Sequence, residues 1–401
     1  MSVQARLATL ATLGAGSAGI ERPLFSAPEY AARERIAAWA REAGFSVEQD
    51  RAANLFVRSG DRSRAPIQCG SHLDTVKNGG PYDGAYGVAG GFEALERIAR
   101  SGALLQRPIE LVAWAGEEGS RFPLGTLGSS VYAGLTPLGA LDALVGDDGE
   151  TFADALRGPT GLLAGVTVRD GFPPPAAYLE LHIEQGPVLE RAGARLGVVS
   201  AIAGQRRFAV TIDGVAGHAG TLPMAGRADA LCAASDIVLA VERAARNAGD
   251  AVATVGQLVV EPNQTNVVPG RVALRVDARS ADDDRVDAIE QQLREAARDI
   301  AAARGVRVAV DLIERRDATP MNARLRGVLR DVCTRLDPRA LELPSGAGHD
   351  AMCIARVAPA AMIFVPSSGG RSHVGDERTA PDDLALGVDA LVATMVTLAA
   401  E

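Results

Sequence analysis

Between residues 204 and 313 the chain carries six patterned segments in the order strand, helix, strand, strand, helix, strand, and that order leaves few folds open. Alternating apolar residues mark strands at 204–213, 251–261, 271–280 and 306–313. Helical spacing marks 227–247 and 282–304, the second opened by acidic residues in its first turn. A β-α-β-β-α-β order is the split ferredoxin-like unit. The flanking pattern is different: a helix over 28–44, strands over 54–58, 66–69 and 109–115 and a glycine-bounded helix over 87–100 come before it. A strand over 360–365 and a closing helix over 381–399 come after it. Strands alternating with helices imply an α/β sheet. The expected fold is therefore an α/β domain with a mixed sheet, made discontinuous (1–205 and 319–401) by an inserted α+β domain at 206–318. At 401 residues the chain exceeds the size at which one core stops growing, which agrees with two domains.

Composition narrows the partners. Hydrophobic residues are 47% and charged residues 23%, far from a disordered composition. The net charge of −9, with no basic stripe, argues against nucleic acid or an anionic membrane as partner and favours a small soluble molecule. Cys69, Cys232, Cys333 and Cys353 are far apart and unpaired in sequence, so a thiolate metal site and a disulfide framework are not expected, and a reducing cytoplasm is. The first 19 residues lack the apolar segment and cleavage site of a signal peptide.

Open α/β sheets carry their active residues just past the carboxyl ends of strands. His72 and the pair Glu117 and Glu118 stand at such ends, His72 in Gly70-Ser71-His72-Leu73-Asp74 and the pair in Trp114-Ala115-Gly116-Glu117-Glu118. Asp83 follows in a turn-rich loop, and His182 and His373 complete a set of imidazoles and carboxylates. Such a set suits two metal ions bridged by one carboxylate, with a spare carboxylate as base. Asp74 lies two residues after His72 and points the same way on a strand, where it could accept from the non-ligating ring nitrogen. Two adjacent buried glutamates repel unless a cation is near. A metal-dependent hydrolase is the reading that these residues support by themselves.

The blocks GSHLDTVKNGGPYDG, AWAGEEGSRFP, ELHIEQGPVLE, GHAGTLPM, NQTNVVPG, SGAGHDAM and FVPSSGGRSH resemble, in order and over nearly the whole chain, the hydantoinase/carbamoylase group of the M20 metallopeptidase-like amidohydrolases. That group includes N-carbamoyl-L-amino acid hydrolases, β-ureidopropionases and allantoate amidohydrolases. The resemblance implies a cytoplasmic homodimer with two divalent ions per subunit, Zn, Mn, Co or Ni. It implies His72 and His182 as ligands of one ion, Glu118 and His373 of the other, and Asp83 as bridge. Glu117 would be the general base and Asp74 the residue orienting His72. Gln185, His218, Asn266, Arg279 and His349 resemble substrate-binding positions, with Arg279 and Asn266 on a carboxylate and His218 on the developing oxyanion. The inserted domain would be lid and dimer interface.

The residues alone leave some of these roles open. Arg279 suits a planar carboxylate but equally a surface ion pair, His218 between two glycines could be a turn histidine, and His349 could simply begin a helix capped by Asp350. After His373 the chain has Val374-Gly375-Asp376-Glu377, where relatives often carry a small residue and Pro-Ala-Glu, so the neighbouring wall of the site is expected to differ. The expected reaction is hydrolysis of a ureido or related amide bond in a small carboxylic acid. The alternatives are a dipeptidase or N-acyl-amino acid hydrolase of the same superfamily and a non-catalytic, metal-stabilised binding protein.

Overall fold

A computed structural model describes residues 1–60, 63–171 and 173–401. The chain forms two compact units. One comprises Met1–Ser200, Met321–Leu343 and Ala347–Glu401, and the other Ala201–Pro320 with Pro344–Gly346.

The first unit is built on a large mixed sheet. Its centre is four parallel strands in the order Ala360–Val365, Ala177–Ile183, Ile67–His72, Ile109–Trp114, and every residue of these strands is buried. Burial on both faces is why Ala360–Val365 reads as a continuous apolar run rather than an alternating one. Leu55–Ser59 pairs antiparallel with Ile109–Trp114 and Ser46–Gln49 antiparallel with Leu55–Ser59, so the sheet is mixed as expected. The helices Ala85–Ser101 and Pro381–Ala399 contribute Val88, Phe92, Leu95, Val388, Leu391 and Met395 to its core.

The strand expected over 66–69 runs from Ile67 to His72. Glycine and serine at positions 70 and 71 look like a turn in sequence. Pairing with Ile109–Trp114, which sets Gly70 opposite Val112 and His72 opposite Trp114, carries the strand through them. The side chain that matters most thus stands on the last residue of a strand rather than in a loop.

The second unit has four antiparallel strands in the order Val252–Glu261, Arg271–Ser280, Gly204–Asp213, Arg307–Arg316. With the helices Ala230–Asn247 and Asp283–Arg304 between them in sequence, this is the strand order of a ferredoxin-like split unit. Phe208, Val210, Ile212, Ile237, Leu274 and Leu293 lie in its core. Arg206, on the strand Gly204–Asp213, is fully buried and pairs with Asp283, Asp287 and Asp317. Among the described residues no helix is long and apolar enough to cross a membrane.

Candidate metal centre

At the carboxyl ends of the parallel strands, five side chains from distant parts of the first unit meet in two groups. His72, Asp83 and His182 bring one donor atom each within 4.8 Å of one another, and so do Asp83, Glu118 and His373. Asp83 belongs to both groups through different oxygens. Its Oδ1 lies 3.2 Å from His182 Nε2 and 3.8 Å from His72 Nε2, and its Oδ2 lies 3.1 Å from His373 Nε2. Glu118 Oε2 is 3.6 Å from His373 Nε2.

Local structure sets the orientation of each ring. His72 Nδ1 donates to the Asp74 backbone carbonyl and His182 Nδ1 to the Ile183 carbonyl, both at 2.9 Å. A ring that donates from Nδ1 keeps a lone pair on Nε2, and in both rings Nε2 is the atom turned to Asp83. Gly84 makes room for this: its φ of 63° is left-handed, and a Cβ there would lie 2.3 Å from the His72 ring.

Asp74 acts differently from the sequence expectation. Its carboxylate stands 3.8 Å from His72 Nδ1, and the carbonyl of the same residue takes the ring's hydrogen bond. The two carboxylate oxygens instead accept the backbone N–H groups of Glu117 and Glu118, each at 3.1 Å. A strand-end carboxylate meets the next strand's turn head-on, so it holds the glutamate pair directly and the histidine through its own main chain. Glu117 Oε2 then lies 3.8 Å from His72 Nε2 and stands outside both donor groups.

The charges do not balance among these side chains alone. Burial, then the neighbouring carboxylates Asp350, Asp74 and Asp83, push the Glu117 carboxyl well up. Burial, then Asp83 and Glu117, push Glu118 up to about 10. Burial lowers His72 to about 4. It also opposes charge on His182, yet the Asp83 carboxylate overrides it and lifts that ring to about 9. Hydrogen bonding to Asp83 likewise lifts His373 to about 9. His72 and His182 thus move in opposite directions beside one carboxylate, and distance explains it, since Asp83 is 3.8 Å from the first and 3.2 Å from the second. Asp83 draws positive charge from both sides, and the buried glutamates need it. Imidazole nitrogen with carboxylate oxygen is a donor set that zinc, manganese, cobalt or nickel accepts, so the residues present fit two divalent ions.

The structure also places the other expected residues. Gln185, at a left-handed φ of 60°, donates from Nε2 to Asp83 Oδ2 at 2.9 Å, and its Oε1 is buried with no partner among the described residues. His349 is buried with its ring centroid 4.6 Å from that of His182, and it starts the helix Asp350–Ile354 without a side-chain cap. His218, Asn266 and Arg279 belong to the second unit. There His218 sits on Gly217–His218, which pairs with Val267–Val268, and the Asn266 carbonyl accepts from Ala219. Arg279 spends Nε and Nη2 on Asp277, at 2.9 and 3.2 Å, and Nη1 on the Gly346 carbonyl. Of its five donors, two remain.

Sequence reasoning missed Ser372 and Glu377. Ser372 Oγ is 2.8 Å from Asp83 Oδ2, and Glu377 Oε1 accepts the N–H groups of Tyr82 and Asp83. The one signal was a further carboxylate four residues past His373.

Residues 69–397 match the peptidase family M20/M25/M40. The chain is 38% identical over 392 residues to an N-carbamoyl-L-amino acid amidohydrolase of Geobacillus stearothermophilus, covering 96% of this chain and 94% of that protein. It is 37% identical over 408 residues to an allantoate amidohydrolase of Escherichia coli (strain K12), covering 99% and 98%. The structure of a hydantoinase/carbamoylase family amidase from Burkholderia multivorans superposes with a TM-score of 0.94 at 37% identity, over 100% of this chain and 97% of that one.

Proposed function

The chain belongs to peptidase family M20/M25/M40, among its hydantoinase/carbamoylase amidohydrolases, and is a hydrolase of C–N bonds; on that premise we propose that it cleaves the ureido bond of a small carboxylic acid. An N-carbamoyl-L-amino acid or allantoate is the substrate class that the relatives' activities favour. The observation that carries the mechanism is the division of Asp83, one oxygen facing His72 and His182 and the other facing His373 beside Glu118.

In this reading His72 and His182 would hold one divalent ion and Glu118 and His373 the other, with Asp83 available to both. The ions, when bound, lower the pKa of water and polarise the substrate carbonyl. Glu117 is the carboxylate left over, and it takes the proton from the attacking water and returns it to the departing nitrogen. Asp74 keeps Glu117 on station by gripping its backbone N–H. The unpartnered Gln185 Oε1 is an acceptor that suits a ureido N–H, because burying it without a donor costs about 1–3 kcal/mol. Arg279 and Asn266 bind the substrate carboxylate, and His218 stabilises the oxyanion, a role worth roughly 3 kcal/mol in acyl chemistry. The second unit is also the dimer interface in this reading, supported by its edge strand Val252–Glu261, which exposes Leu258 and Val259.

The test is a panel of N-carbamoyl-L-amino acids, N-carbamoyl-β-alanine, allantoate, N-acyl amino acids and dipeptides, given to the metal-loaded protein with ammonia and free amine measured together. Ammonia from a ureido acid is the expected result. Amine without ammonia from acyl or peptidyl substrates would move the enzyme to the dipeptidase side.

A further inference from the structure

We infer that Glu377 is a positioning residue that ties the two ligand-bearing loops of the metal centre, those of Asp83 and His373, into one frame. The inference rests on the metal-centre reading above. His373 is the weakly supported member of the ligand set. Its side chain is 49% exposed where those of Asp83 and Glu118 are 6% and 7%, and its backbone has a left-handed φ of 59° that a non-glycine residue adopts only when its surroundings impose it.

What imposes it is a short hydrogen-bonded chain. Glu377 Oε1 accepts the backbone N–H groups of Tyr82 and Asp83 at 2.9 and 3.0 Å. Glu377 Oε2 lies 2.6 Å from Ser372 Oγ, and that hydroxyl lies 2.8 Å from Asp83 Oδ2. A serine hydroxyl has a single proton, so Ser372 donates to one carboxylate at a time, and its donation to Asp83 keeps the His373 turn beside the Asp83 loop. Ser372 precedes His373 directly, so the link fixes that turn from within. Gln185 Nε2 donates to the same Asp83 oxygen from another side, which leaves Asp83 little freedom to rotate. Buried carboxylate ligands need such outer partners to keep their lone pairs aimed.

Two glycines have the form of this device. Gly80 does not need a glycine for its backbone angle, yet a Cβ there would lie 2.3 Å from Glu377 Oε1 and 2.4 Å from its Cδ. At Gly375 a Cβ would lie 2.2 Å from the Ala18 carbonyl oxygen. Its bare Cα lets the turn 374–377, closed by Glu377 N–H to the Val374 carbonyl at 3.1 Å, seat against residues 18–19 and bring Glu377 inward.

The experiment is titration of the full-length, metal-stripped protein with Co²⁺, read by competition with a chromophoric chelator and by the visible spectrum of the bound cobalt, which reports ligand geometry. Wild type is expected to take two ions. Glu377→Ala should lower the affinity for the weaker ion about 10- to 100-fold and change its spectrum, as loss of an outer partner does elsewhere. Glu377→Gln keeps an acceptor for the two backbone N–H groups and should restore part of the affinity. Should Glu377→Ala fail to fold, Ser372→Ala and Gly80→Ala carry the test, with the same direction expected. Variants that load both ions with wild-type affinity and spectrum overturn the inference alone. Wild type that takes up no divalent ion overturns the metal-centre reading and this inference with it.

Discussion

His182 and His218 show how differently the two units present the same side chain. His182 is 1% exposed near the end of a strand buried on both faces, with Nδ1 held by the Ile183 carbonyl and Nε2 beside Asp83. His218 is exposed on a two-residue strand, and its Nδ1 accepts the N–H of Gly220, two residues along. The first ring is oriented by a sheet that cannot move without breaking the core. The second keeps the freedom to turn toward whatever arrives. A buried, prealigned ring suits a metal ligand, where misplacement is costly, whereas an exposed ring can meet a developing oxyanion only once bound substrate orders it.

On that contrast, perturbing the first unit's cluster stops the chemistry, and perturbing the second unit away from His218 changes binding or stability. The largest effect is expected from removing divalent ions. A chelator should abolish turnover and added Mn²⁺ or Zn²⁺ should restore it, whereas an enzyme indifferent to chelation would remove the metal centre from the mechanism. Next, Glu117→Gln should keep its metal content and lose about 10²- to 10⁴-fold in kcat, the usual weight of a general base. Metal analysis alongside steady-state kinetics checks this, and near-normal kcat would mean that another group takes the proton.

Arg279→Ala should mainly raise KM for carboxylated substrates, about 10- to 100-fold, in line with a lost charge-assisted hydrogen bond of roughly 1.5–3 kcal/mol. An equal fall in kcat at constant KM would blur the contrast, because it would put Arg279 itself in the bond-making step. The smallest effect is in Asp229→Ala. Asp229 accepts the N–H groups of Leu231 and Cys232 at the start of the helix Ala230–Asn247, so denaturant unfolding should show a loss of about 1 kcal/mol with turnover unchanged.

Some elements were legible in the sequence to the residue, though the strand expected over 306–313 runs from Arg307 to Arg316. Gly204–Asp213, Arg271–Ser280 and Ala360–Val365 run where the pattern places them, as does the helix Pro381–Ala399. The helix Val3–Ala11 was not legible, and Arg6 explains why. Its guanidinium is buried over the rings of Trp39 and Phe92, at 4.9 and 4.4 Å, and pairs with Glu96, so a charged residue occupies the face that should have read as apolar. In the site, Asp74 was legible as a partner, but the atom it uses was not. Whether a strand-end carboxylate meets a ring or a neighbouring turn depends on the register with Ile109–Trp114, which no local pattern encodes.

The sequence by itself determined the chemistry available: five histidines, a doublet of glutamates after a buried strand, an Asp in a glycine-rich loop, and a split ferredoxin-like unit set between two stretches of α/β pattern. Those follow from side-chain identity and local periodicity. Only the tertiary structure decided that the two oxygens of Asp83 face different imidazoles, that Asp74 grips the backbone of the glutamate pair, and that Glu377 reaches the loop of Tyr82 and Asp83. Each of these joins residues brought together by strand pairing and loop packing, and a distance between positions 83 and 373 exists only once the whole sheet between them has formed.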